Sequence, residues 1–178
     1  MRGRSLPPVE VDAGRALRLR PVLAAWLMAV GVDVLFNAGL FSPLFDQNRE
    51  PSLLPDAVLF RRIPVAYVAL AIAVSGLAWL LDRTGRRGAW AGATAGAWAG
   101  LVVAGMGIVT LWTAIDLTGL FVTAGAVVQV GELAASGAVL GAFRAAVDRR
   151  RLTRRVFTLA LLAAAAGILA QNLMSPGP

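Results

Sequence analysis

Residues 89–143 read AWAGATAGAWAGLVVAGMGIVTLWTAIDLTGLFVTAGAVVQVGELAASGAVLGAF, 55 positions with only two charges, Asp116 and Glu132. About 20 mostly apolar residues suffice for a helix to cross about 30 Å of hydrocarbon. One span cannot use this length, whereas two spans joined by a tight turn can. Asp116, Thr118 and Gly119 are the cluster of turn-compatible residues near the middle. The turn is therefore predicted around Trp112–Gly119, between spans at 89–111 and 120–143.

Working outward, three further apolar runs are long enough to cross. The first, PVLAAWLMAVGVDVLFNAGLF, occupies 21–41, with Pro21 at a position a helix start tolerates and Pro43 just beyond its end. It has no small-residue cleavage site before a soluble domain, so it reads as a retained span and not a signal peptide. The proline-punctuated stretch from Ser42 to Pro64 reads as a loop, within which LLPDAVLF suggests a short surface helix. A second span follows at 64–81, with Tyr67 and Trp79 near its two ends, where aromatic belts form. The last span is 156–173, leaving a short tail at 174–178 and a basic segment at 1–20.

The whole chain agrees with this division. Of 178 residues, 58% are apolar and 15% charged, and mean hydropathy is +0.71. Soluble domains carry about 25% charged residues, so too few polar groups remain here to cover a water-soluble globule. All 17 basic residues are arginine, against 10 acids. Fourteen of them fall before the first span, after the second and before the fifth; three, Arg49, Arg61 and Arg62, fall on the alternate side. The positive-inside rule then predicts an all-α integral membrane protein, a compact bundle of five transmembrane helices. Its N-terminus is cytoplasmic, its C-terminus extracytoplasmic, and its location the cell inner (cytoplasmic) membrane.

The arginines border apolar runs, so membrane lipid is the expected partner and nucleic acid is not. The basic run RRRLTRR at 149–155 would attract anionic lipid at about 1 kcal/mol per basic residue, although its topological role alone accounts for it. The chain contains no His and no Cys. That removes thiol nucleophiles, disulfides, imidazole acid–base chemistry and thiolate metal sites, and no cofactor or metal is expected. Nothing resembles a zinc-protease, nucleophile-elbow or P-loop motif.

Small residues recur at helical spacing. Gly88, Gly92, Gly96 and Gly100 share one face of the third span, and Gly137 and Gly141 do the same on the fourth, with Gly131 and Ala135 above them. Such faces let two backbones approach closely in lipid. They read first as packing within the bundle, with a homo-oligomer or a partner membrane subunit as the alternative use.

Two carboxylates lie at depth. Asp33 falls in the first span with Asn37 one turn on, and Glu132 falls midway along the fourth with Gln129 three residues before it. A charge at the bilayer centre costs about 2.5–3.5 kcal/mol on the insertion scale, so such groups face the bundle interior. No arginine lies within a span to neutralise them. They must be protonated, share a proton, bind a cation or line a hydrated cavity. Arg61 and Arg62, at the outer start of the second span, and Asp116, in the turn, complete the candidate binding set. Read alone, Asp116 is a turn residue in water.

Two functions fit. In one, the protein binds or translocates a cation, a proton or a small amphiphile through a polar site between helices one and four. In the alternative it is a non-catalytic structural or accessory subunit of a membrane complex, whose buried carboxylates serve helix packing. A lipid-modifying enzyme using the loop after the first span is the weakest fit, because no motif organises that loop.

Overall fold

The computed structural model describes residues 11–45, 55–113 and 118–174. Among them are five long helices: α1 (Val11–Asp33), α2 (Asp56–Thr84), α3 (Ala89–Trp112), α4 (Gly119–Ala145) and α5 (Arg149–Met174). Each contains a stretch long and apolar enough to cross a bilayer. α1 continues without a break into a π-helical segment, Val34–Leu40, and a 3-10 turn, Ser42–Phe45.

The side chains are distributed as lipid requires. Trp90, Trp98, Val102, Met106, Leu162 and Leu169 are exposed on the outside. The interior holds small and branched residues: Ala25 and Ala29 of α1, Val74 and Leu81 of α2, Leu133 and Leu140 of α4. A soluble monomer does not expose apolar surface on this scale. The chain is a multi-pass membrane protein.

Helix boundaries differ from the sequence expectation mainly at the N-terminal ends. α1 begins at Val11, so Pro21 lies inside the helix and not at its start. α2 begins at Asp56, taking in the last part of the expected loop and leaving Pro64 interior. α5 begins at Arg149, so the basic run forms its first two turns. The physical reason is common to all three: hydropathy marks where lipid begins, while a helix continues into water as long as its backbone bonds are satisfied. At α5 the start is fixed by Asp148, whose carboxylate accepts from the Arg151 N–H at 3.0 Å. α3 ends at Trp112 and α4 begins at Gly119, where the Thr118 hydroxyl accepts from Phe121 N–H to cap α4; residues 114–117 between them lie outside the described residues. Asp116 and the tail after Met174 lie outside the described residues.

α3 and α4 pack backbone to backbone along the glycine faces. A methyl group added at Gly92 would collide with the Gly137 carbonyl, and one at Gly96 with the Leu133 carbonyl. One at Gly100 would lie 2.7 Å from Val130 Cα. At the arginine-rich end, opposite the α3–α4 connection, the Gly88 N–H donates to the Gly141 carbonyl at 2.9 Å. The glycine face of α3 is thus used inside the chain. Gly131 serves a different contact, facing Phe36 and Val32 of the α1 arm. A second set of close approaches joins that arm to α5: Gly31 against the Ala160 backbone, and Gly39 against Gly167.

One ion pair closes the arginine-rich end. Arg144 of α4 donates from Nη2 to Asp82 of α2 at 2.7 Å. It also donates from Nη2 to the Ala78 carbonyl at 2.8 Å and from Nη1 to the Leu140 carbonyl at 2.9 Å. Asp82 is 67% exposed, so the ion pair contributes less than about 1 kcal/mol. The bonds to carbonyls in the last two turns of α2 and α4 matter more. Arg144→Met is expected to lower stability in detergent by about 1–2 kcal/mol, and Asp82→Asn by less than half of that. Equal losses in the two variants would assign the effect to the charge pair instead.

Candidate functional site

Three helices bring four polar side chains together at one depth. Glu132 lies thirteen residues from either end of α4, about 20 Å along the axis. Asp33 lies the same thirteen residues from Arg20, which marks the basic end of α1. Equal rises from the same end put the two carboxylates level. Their side chains are close enough to interact electrostatically. Glu132 is buried, at 6% exposure, while Asp33, Asn37 and Tyr67 are half-buried.

Asp33 is the hub. Its Oδ1 accepts from Asn37 Nδ2 at 2.5 Å, and its Oδ2 accepts from the Tyr67 hydroxyl at 2.9 Å. Tyr67 is in turn fixed through its backbone: the Trp26 indole N–H donates to the Tyr67 carbonyl at 3.0 Å. One turn from Glu132 toward the basic end, the fully buried Ser136 hydroxyl donates to the Ala25 carbonyl at 3.1 Å. The α1–α4 contact is therefore polar at two levels, and α2 is tied to it through Tyr67.

The backbone around Asp33 is also unusual. The helix widens to the π form immediately after it, and the Phe41 N–H reaches the Phe36 carbonyl five residues back at 2.7 Å. A π turn inserts a residue into the helical register and often marks a functional position. Gly39 and Gly167 allow the widened turn to press against α5. The Phe36 and Phe41 rings stack at 5.7 Å.

Of the residues expected from the sequence, the structure brings together Asp33, Asn37 and Glu132. Gln129 is half-buried and makes no side-chain hydrogen bond. Arg61 and Arg62 are exposed near the start of α2 and pair with neither carboxylate; among the described residues the ion pair is Arg144–Asp82. Asp116 lies outside the described residues. Tyr67 was expected in an interfacial belt and is found inside the bundle, because α2 starts eight residues earlier than the apolar run does.

Comparison with protein-family models, with curated proteins and with solved structures finds no match. The function must be read from the chemistry of this cluster. Two carboxyl groups lie side by side at mid-depth, and among the described residues no cationic side chain is paired to either. An ionised carboxylate only accepts hydrogen bonds, so two of them can bond to each other only through a shared proton. Among the described residues, no group of three acidic side chains is placed to hold a metal ion.

Proposed function

We propose that this protein binds a proton at the Asp33–Glu132 pair and passes it across the membrane. The observation carrying this reading is the adjacency of the two carboxyls at mid-depth without a cation. A metal or sodium ion fits less well. Asn37 and Tyr67 point donors at Asp33 and so occupy the lone pairs that an ion would need. By the positive-inside rule, the arginine-rich end faces the cytoplasm and the Leu40 end of the π-helical segment faces outward, in an inner membrane. The alternative, a packing role in a membrane complex, draws support from Ser136 and Trp26, which tie the same helices together without any carboxylate.

The test uses the full-length protein in liposomes carrying an internal pH dye. Dissipation of an imposed pH gradient is expected to fall at least tenfold in Glu132→Gln and in Asp33→Asn, with helical content and thermal midpoint close to wild type. Infrared difference spectra should show a protonated carboxyl that either substitution removes or displaces. Loss of thermal stability with no gradient dissipation by the wild type would instead support the packing role.

A further inference from the structure

A cavity of about 70 Å³ opens at the arginine-rich end, away from the carboxylate pair. Its lining comes from three helices: Arg20 and Pro21 of α1, Phe143 of α4, and Arg149, Arg150 and Thr153 of α5. Phe143 is buried at 3% exposure and gives the cavity an apolar floor, while the three guanidinium groups are exposed around it. Arg20 and Arg149 are 129 positions apart in sequence, so the convergence is made by the fold and not by the run of arginines.

Three like charges around one small space repel one another, and among the described residues none of the three forms an ion pair. Among the described residues the nearest carboxylate in sequence, Asp148, is already bonded to the Arg151 N–H. Asp82, also at this end, is held by Arg144. Arg149 and Arg150 also stand in the first turn of α5, where the helix dipole favours an anion and disfavours a cation. Topology requires basic residues near this end, but it does not require them to converge across two helices on a cavity with an aromatic floor. A phosphate oxygen set matches the forked donors of several arginines. The volume takes a group the size of a few waters, a phosphate and not a whole sugar or nucleotide.

We infer that this cavity binds the phosphate group of an anionic phospholipid, held by Arg20, Arg149 and Arg150, with the acyl chains descending along the apolar bundle surface. A lipid is favoured over free phosphate because the cavity lies where the spans begin. Pro21 and Phe143 line it, and Trp79 and Trp90 stand exposed near the same end as interfacial anchors.

The test is retention of lipid by the intact protein. The detergent-purified chain would be mixed with phosphatidylglycerol, phosphatidylcholine or inorganic phosphate, then examined by native mass spectrometry and thermal unfolding. Wild type is expected to retain one phosphatidylglycerol and to gain several degrees in midpoint, with phosphatidylcholine at least tenfold weaker. Arg20→Gln, Arg149→Gln and Arg150→Gln together should abolish both effects, while Arg86→Gln with Arg87→Gln, at the same end but outside the cavity, should keep them. Equal losses in the two sets would reduce the effect to diffuse surface charge and overturn the site. Full protection by inorganic phosphate, with none added by lipid, would overturn the lipid assignment. If the triple variant proves unstable, Arg20→Lys should still weaken retention severalfold, since lysine keeps the charge but loses the fork; unchanged retention would count against the geometry.

Discussion

Gly96→Val will fail to give a stable bundle. A side chain at this position meets the Leu133 carbonyl and the Ala134 Cα, both backbone atoms of α4 that cannot swing aside. Overpacking a core usually costs about 1–3 kcal/mol, most of it spent moving side chains. Here the two helices themselves must separate, and the neighbouring contacts at Gly92 and Gly100 would be lost with them. The cost should reach about 3 kcal/mol or more, a large part of the 5–15 kcal/mol that holds a typical domain together. Gly76 and Gly105 provide the comparison. A Cβ at either meets nothing within 4 Å, so alanine there should gain about 0.5–1 kcal/mol from helix propensity. Monodisperse yield after detergent extraction and the thermal midpoint would read both effects. A Gly96→Val protein with the wild-type midpoint would mean that α3 and α4 are not held by this seam.

That contact was legible in the sequence because glycine at every fourth position can lie on only one helix face. The level placement of Asp33 and Glu132 was legible for a related reason: depth follows from counting residues inward from the arginine clusters. The α1–α5 contact was harder to see. Gly31 and Gly39 are eight residues apart across a change from α to π register, so no single helical period links them to Gly167. The π segment has no hydropathy signature, since inserting one residue shifts faces without altering composition. Tyr67 was missed for a different reason. Tyrosine suits both a membrane interface and a buried hydrogen bond, and only the true start of α2 at Asp56 decides between them. The pairing of Asp82 with Arg144 depends on the packing of α2 against α4, which sequence spacing does not encode.

Asp33→Leu is expected to be the most damaging single change in the polar cluster, and its rescue would show what the cluster is for. Leucine removes the acceptor of both Asn37 and Tyr67 and leaves Glu132 without its neighbour. Hydrogen bonds between helices in lipid contribute about 0.6 kcal/mol each. An unsatisfied buried group adds about 1–3 kcal/mol. A loss of about 2–3 kcal/mol in detergent or bicelle unfolding follows, with the larger share from stranding Glu132. The combined variant Asp33→Leu, Asn37→Leu, Tyr67→Phe and Glu132→Leu strands nothing. Replacing every member of a buried polar set by apolar groups of similar size is often neutral or stabilising, so this variant should recover most of the loss while conducting no protons. Such a result would separate folding from function: the bundle stands without its carboxylates, and what keeps them there is the proton. If the combined variant is instead as unstable as Asp33→Leu alone, α1, α2 and α4 depend on this network to find each other. The cluster would then be a latch, and the packing role would become the better reading.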